Sequence, residues 1–136
     1  NVEDARGAMF ELQKDAYLHG SSIYADEYGM MVPSSYAVQY ALNVLGFQEH
    51  SGPVTGEKYD NPVAGEYSIY RDETCHLTLP YGRLLAGLTW YEYLTGNDVT
   101  KNAYQHSQIS AEIMAQLKEA AHWANSQVTP ISGSAN

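Results

Sequence analysis

Basic residues are scarce in this sequence, and their scarcity narrows the classes of partner. Seven lysines and arginines stand against sixteen aspartates and glutamates, which gives a formal net charge of −9 at pH 7. Binding to a phosphate backbone needs clustered cations that displace counterions. The sequence contains no run of lysine or arginine. We therefore expect no nucleic-acid partner.

Long apolar runs and cysteine pairs are also missing. Spanning a bilayer takes roughly 20 consecutive apolar residues, and no stretch of this sequence approaches that length. We therefore expect no membrane span. Cys75 is the single cysteine, which excludes an intramolecular disulfide.

The chain nevertheless carries enough apolar residues to fold. Its hydrophobic fraction is 44% over 136 residues, which is ordinary for one globular domain with a real core. We expect a single domain over residues 1–126. Residues 127–136, "QVTPISGSAN", have the composition of a frayed terminus and are predicted to form a flexible tail.

Apolar residues recur at spacings of three and four in several segments, which predicts amphipathic helices. In the helix after residue 33, Ser34 or Ser35 is expected to cap the first turn and Gly46 to end the last. The third helix is apolar nearly all round, so we expect it to pack on more than one side. Its small residues Gly82, Ala86 and Gly87 are expected to let another element approach closely. Gly96 is expected to end the third helix, and the last helix carries an apolar stripe at Ile109, Ile113, Leu117, Ala120 and Ala124. The predicted helices cover residues 2 to about 22, 34–46, 78–96 and 107–125.

Two short apolar stretches are interpreted as strands, namely "MMVP" at residues 30–33 and "YSIY" at residues 67–70. The first turns directly into a helix, and such a connection borders the ligand crevice in open α/β sheets. Residues 47–66 contain glycine, proline, asparagine and aspartate throughout, which predicts a long exposed loop. The chain is therefore either a mostly helical domain or part of a larger α/β unit.

His76 stands in "RDETCHLT" (residues 71–78), between an acidic pair and the apolar third helix. A zinc site is disfavoured because Cys75 and His76 diverge as neighbours and no second cysteine completes the ligand set. The same divergence disfavours a cysteine nucleophile. A histidine base for a serine nucleophile is a third chemistry, with Asp72 or Glu73 close enough to orient the imidazole. A solvated surface histidine is the simpler interpretation, and spacing alone leaves both open.

The segment "RDETCHLTLPYGRLLAGLTWYEYLTG" (residues 71–96) resembles the C-terminal block of SGNH (GDSL-like) hydrolases, in particular an uncharacterised bacterial branch of that clan. In that branch an acid-x-x-His element precedes a Leu-Thr pair, an apolar helix with Thr-Trp-Tyr, and a Leu-Thr-Gly ending. Upstream, "MMVPSSYAVQYALN" (residues 30–43) looks like the strand, turn and helix that precede this block. The resemblance covers about residues 15–125. It implies the C-terminal portion of a three-layer α/β/α, flavodoxin-like fold, this chain being mostly helical with one or two short strands.

Carried over by position, the resemblance implies that His76 is the catalytic base. Its orienting acid would be Glu73 or Asp72, because "DETCH" has one residue more than the family's Asp-x-x-His. The family's nucleophilic serine, its Gly-Asp-Ser turn and its oxyanion-hole residues have no match in this sequence. The resemblance therefore implies a missing N-terminal segment, a chain inactive on its own, and carbohydrate or small acyl esters as substrates. We expect no cofactor, and the ligand count disfavours a metal.

The competing class is a non-enzymatic, mostly helical module that binds a partner or forms a homo-oligomer. Twelve tyrosines against two phenylalanines suit a partly wet contact surface, because tyrosine combines an apolar ring with a polar tip. Exposed apolar faces also favour self-association. The remaining histidines are interpreted as structural: His19, His50, His106 and His122.

Overall fold

The computed structural model describes residues 8, 10–16, 18–19, 32–48, 68–70 and 76–128, and this part of the chain is mostly helical. The described residues between 8 and 19 are helical as well. None of the described helices combines the length and apolarity needed to cross a bilayer. The named elements are α1 (Ser34–Asn43), α2 (Tyr81–Thr95), a short 3₁₀ helix (Val99–Lys101) and α3 (Ala111–Ser126).

The core lies where the three long helices pack on one another. Helix α3 contacts both α1 and α2, and these two also contact each other. The small residues Ala120 and Ala124 are fully buried, which allows the helices to approach closely. The apolar stripe predicted for this segment is buried in full: Ile109, Ile113, Leu117, Ala120 and Ala124.

The ends of α2 and α3 follow local sequence signals. Ser110 caps α3, since its Oγ accepts a hydrogen bond from the Ile113 N–H at 3.2 Å, as N-cap serines do. Pro80 immediately precedes α2, and Gly96 ends it in the left-handed region at φ 70°. Gly96 donates its N–H to the Glu92 carbonyl, which completes the helix C-terminus.

The predicted serine cap of α1 is wrong. Pro33 occupies the N-cap position and no side chain caps the helix. The Ala37 N–H, which a Ser34 side chain at the N-cap would accept, instead donates to the Pro33 carbonyl at 3.2 Å. At the other end, Gly46 has φ +73°, and the following Phe47 N–H reaches back to the Ala41 carbonyl at 3.0 Å.

β-Pairing in the described part of the chain is limited to two isolated bridges. Gln48 pairs with Ser68 in parallel, and Tyr70 pairs with Leu77 in antiparallel orientation. The mostly helical prediction is confirmed, while the three-layer α/β/α arrangement stays a prediction. Residues 30–31, 49–67 and 129–136, which include much of the predicted first strand, the loop and the tail, lie outside the described residues.

The prediction that α2 is packed on more than one side is only partly right. Leu85 and Leu88 are buried on the face that meets α1 and α3. Trp90 and Leu94, however, are 50% and 60% exposed. The sequence pattern showed that these positions are apolar, but it carried no information on what covers them.

Candidate functional site

A buried polar anchor holds the chain just after His76. Thr78 is 2% exposed, and its hydroxyl donates to the Ser68 carbonyl at 2.6 Å while accepting the Gly82 N–H at 3.0 Å. Its own N–H donates to the Ile69 carbonyl at 2.9 Å. One threonine therefore joins segment 68–70 to the first turn of α2.

Gly82 is the second part of this anchor, because no side chain fits at its position. A Cβ built on Gly82 would lie 2.2 Å from the Ile69 carbonyl oxygen and 3.1 Å from Leu77 Cβ. Ile69 is itself fully buried. The absence of a side chain lets the backbone of segment 68–70 lie directly on α2, as the sequence pattern predicted for Gly82.

The bridge between Tyr70 and Leu77 fixes where the chain leaves and re-enters this anchored region. His76 immediately precedes Leu77 and is exposed. It thus lies one residue from a bridged position and two residues from the buried Thr78. A solvent-accessible histidine is held at its C-terminal side by backbone that is buried and hydrogen-bonded.

Of the three predicted site residues, the structure describes His76 alone. Asp72 and Glu73 fall within residues 71–75, outside the described residues, as does Cys75. The assignment of either acid as the partner of His76 therefore stays a prediction.

A second group of titratable side chains lies at the other end of α2. His122 Nδ1, on α3, is 2.8 Å from Glu92 Oε1 and 3.5 Å from Asp98 Oδ1. Each of the three residues offers a ligand atom within 4.8 Å of the others. Histidine nitrogen and carboxylate oxygen are ligands for zinc and other divalent metals, so these residues could hold one ion between them.

The carboxylates of this group already have protein partners. Glu92 Oε2 accepts the Val99 N–H at 3.0 Å, and Asp98 Oδ1 accepts the Thr100 N–H at 3.0 Å. Asp98 Oδ2 pairs with Lys101 Nζ at 2.9 Å. Hydrogen bonds from Lys101 and Thr100 hold the pKa of Asp98 well below its usual range. The group ties the 3₁₀ helix to α2 and α3, and this structural role accounts for its arrangement without an ion.

A cavity of about 140 Å³ opens beside this group. Within it, Asn125 Nδ2 donates to the carbonyls of Thr89 and Ala121 at 3.1 and 2.9 Å, so the amide joins α3 to α2. The Tyr93 hydroxyl is buried without a hydrogen-bond partner in the described part of the chain, and burial raises the pKa of this phenol. The cavity is lined by Glu92, Tyr93, Gly96, His122, Asn125, Ser126 and Val128.

This second group was not predicted from the sequence. His122 is 30 residues from Glu92 along the chain, and only the packing of α3 on α2 brings them together. In the sequence, the only indication was that Glu92 and His122 each lie about one turn before the end of a predicted helix, and that these two helices follow one another in the chain. Residue types at such separations do not indicate contact without the tertiary arrangement.

The two regions differ in what they offer to chemistry. His76 is exposed directly before a buried, hydrogen-bonded backbone, and His122 lies between two carboxylates that also accept backbone N–H groups. The His76 region is therefore the stronger candidate for a catalytic base. In comparisons with known proteins, no family model, no curated protein and no solved structure matches this chain.

Proposed function

We propose that this chain is the C-terminal part of an SGNH-type serine ester hydrolase with a three-layer α/β/α fold, in which His76 is the catalytic base. One observation carries the proposal: His76 is exposed two residues before Thr78, whose buried hydrogen bonds fix the backbone to segment 68–70 and to α2. The resemblance of residues 71–96 to the histidine block of these hydrolases supplies the reaction class.

The role of His76 follows from the chemistry of ester cleavage. The imidazole accepts the proton of a serine hydroxyl as its oxygen attacks the ester carbonyl, and a tetrahedral oxyanion forms. The imidazolium then gives that proton to the departing alcohol, which leaves an acyl-serine. Water, deprotonated by the same histidine, releases the acid. Asp72 or Glu73 would hold the imidazole in the correct tautomer through this cycle.

The anchor supports this role because a general base works only within hydrogen-bond reach of the proton it removes, roughly 2.6–3.2 Å. Catalytic groups on loops need support that fixes their position to about 0.5 Å. The residues following His76 have such support, since Thr78 and Gly82 leave segment 68–70 no room to separate from α2 without losing buried hydrogen bonds.

The charge of the chain bears on the substrate class. A formal net charge of −9 repels anions and lowers their local concentration. Neutral acyl esters, such as acylated carbohydrates or small acetyl esters, do not meet this repulsion. We therefore propose neutral esters as the substrates, with the nucleophile and the oxyanion hole supplied by a segment that precedes Asn1 in a longer protein.

The test compares the chain alone with the product of its longer reading frame. With a chromogenic acetyl ester, we expect no His76-dependent hydrolysis by the chain alone. The longer product should hydrolyse the ester and react with a fluorophosphonate probe at a serine in a Gly-x-Ser turn. His76→Ala should lower its kcat by about 10⁴-fold or more, while His122→Ala should not.

Three outcomes would contradict this proposal. The first is a longer reading frame without such a serine turn. The second is ester hydrolysis by the longer product that survives His76→Ala. The third, robust hydrolysis by the chain alone that His76→Ala abolishes, would retain the base but show that the nucleophile lies within this sequence.

A further inference from the structure

One face of α2 remains in contact with water although it carries two large apolar side chains. Trp90 and Leu94 are 50% and 60% exposed, and Arg83 and Gly87 are exposed beside them. The spacing of four, three and four places these residues on one side of the helix. We name Arg83, Gly87, Trp90 and Leu94 the α2 seam.

We propose that the α2 seam binds the α2 seam of a second copy of this chain, with the two helices antiparallel. A two-fold interface must be self-complementary, so that residue i meets residue j and residue j meets residue i. Arg83 with Leu94 and Gly87 with Trp90 are both centred midway between residues 88 and 89. A two-fold axis at that point brings each tryptophan onto Gly87 of the partner subunit.

The shapes of the two paired positions match. A Cβ built on Gly87 meets nothing within 4 Å, so the helix surface has an open notch at this position. A knob fits such a hole between helices, and a tryptophan is the side chain most often found at the energetic centre of an interface. No side chain from the described part of the chain fills this notch. Trp90 of a second copy has a suitable size and position to fill it.

Charge selects the antiparallel arrangement over the parallel one. Arg83 is in the first turn of α2, which carries no acid, and the last turn carries no base. A cation at the helix N-terminus is unfavourable, whereas one near the C-terminal carbonyls is favourable. Antiparallel pairing moves the Arg83 guanidinium beside the C-terminal turn of the partner helix and lays its aliphatic stem on Leu94 of the partner subunit. Parallel pairing would place two arginines side by side.

The seam is small, which sets the expected affinity. Four residues a side bury far less than the roughly 800 Å² per partner of a stable complex, so we expect a dissociation constant of about 10 to 1,000 µM. The net charge of −9 on each chain opposes association at long range. Salt screens that repulsion, so raising the ionic strength should strengthen this dimer.

The experiment is sedimentation equilibrium of the full chain from about 5 µM to about 2 mM, which brackets the expected constant. We expect the mass to rise from monomer to dimer. Trp90→Ala should raise the dissociation constant at least about 10-fold. Val44→Ala, which alters another apolar side chain, 62% exposed at the end of α1, is the matched control and should leave it unchanged.

Gly87→Gln separates a docking role from a structural one. The monomer has room for the side chain, and glutamine favours a helix over glycine by up to about 1 kcal/mol. We therefore expect an unchanged or higher melting temperature together with at least about a 10-fold weaker dimer, because the notch is filled. Arg83→Glu should likewise keep or raise the melting temperature, since an acid is favourable in the first turn of its own helix, and should weaken the dimer, since an acid is unfavourable beside the C-terminal turn of the partner helix.

Cross-linking tests the register in a Cys75→Ser background. Chains with Arg83→Cys and chains with Leu94→Cys, once mixed, should be joined by a short bismaleimide that spans about 8–10 Å between helix axes. Neither variant alone should cross-link, because like positions lie about 16 Å apart along the axis.

The dimer proposal does not depend on the hydrolase proposal, since neither esterase activity nor a longer chain enters these measurements. A monomeric mass at the highest concentration would overturn it. A dimer that Gly87→Gln and Trp90→Ala leave unchanged would also overturn it, as would cross-links between two Leu94→Cys chains.

Discussion

The two ends of α2 hold their neighbours by different physical means. At the N-terminal end, Thr78 and Gly82 join backbone to backbone in a dry environment, with neutral hydrogen bonds. At the C-terminal end, Glu92, Asp98 and His122 join the elements through charged and partly exposed groups. His122 is thus held among charged groups, while the backbone that follows His76 has a neutral support that titration does not loosen.

The largest effect expected from this comparison concerns the acid that we propose orients His76. In the proposed longer esterase, Asp72→Asn and Glu73→Gln should differ. Neutralising the orienting acid should lower kcat by about 10⁴-fold, because the imidazole is no longer held in the correct tautomer. The other acid should cost less than about 10-fold. Steady-state kinetics on an acetyl ester measures both.

Glu92→Gln is the matched control for that experiment, because it neutralises a carboxylate that contacts a histidine at the opposite end of α2. Its kcat should stay at the level of the parent enzyme. The opposite result, an inactive Glu92→Gln with Asp72→Asn and Glu73→Gln both active, would contradict the proposal. It would place the catalytic centre at the C-terminal end of α2.

The next effect is on stability and compares two glycines of one helix. Gly82→Ala forces a methyl against the Ile69 carbonyl and should destabilise the chain by about 1–3 kcal/mol. Gly87→Ala has open space and should stabilise it by about 0.5–1 kcal/mol, because alanine favours the helix. Urea denaturation at a protein concentration low enough to keep the chain monomeric measures both. Equal effects would show that segment 68–70 does not press on α2.

Thr78→Val removes the hydroxyl of the anchor while keeping its shape. The Gly82 N–H loses its acceptor and the Ser68 carbonyl loses a donor, so we expect a loss of about 1–3 kcal/mol. Thr89→Val is the matched control, because that threonine is equally buried but donates only to the Leu85 carbonyl of its own helix. Its loss should stay below about 1 kcal/mol.

The smallest effect is the acid sensitivity of the C-terminal end. Hydrogen bonds from Lys101 and Thr100 lower the pKa of Asp98, so its carboxylate contributes stability above the ordinary carboxyl range and loses it as the pH falls below that range. Asp98→Asn should therefore flatten the decline of the melting temperature below about pH 4. If the melting temperature of Asp98→Asn declines below about pH 4 as steeply as that of the parent chain, the Asp98 carboxylate does not stabilise the C-terminal end of α2.

The sequence predicted those parts of the fold that depend on neighbours in the chain. The stripe of α3 and the Gly96 terminus of α2 followed from spacing and from the left-handed conformation that glycine tolerates. The Ser34 cap failed because the helix starts one residue earlier than that cap requires: Pro33 is the N-cap, and its carbonyl accepts the Ala37 N–H. The residue at which the first turn begins depends on how the chain enters the helix, which the serine does not encode.

For the candidate site, the sequence identified His76 but not the reason why its backbone stays in place. Thr78 was visible only as a helix-start residue, since its partner carbonyls lie 9 and 10 positions away. The contact between Glu92 and His122 could not be predicted for the same reason, because it depends on α3 packing against α2. The exposure of Trp90 likewise depends on what else packs nearby.

The two contacts of the anchor also restrict which sequences can encode it. Position 82 admits no side chain, since even a methyl meets the Ile69 carbonyl, and position 78 needs a short hydroxyl that both donates and accepts. Residues 79 to 81 are not bound by either requirement. Distant relatives that share this device should therefore be recognisable by His-x-Thr-x-x-x-Gly at the start of a helix, with serine as the natural replacement for threonine, even where the remaining sequence has diverged.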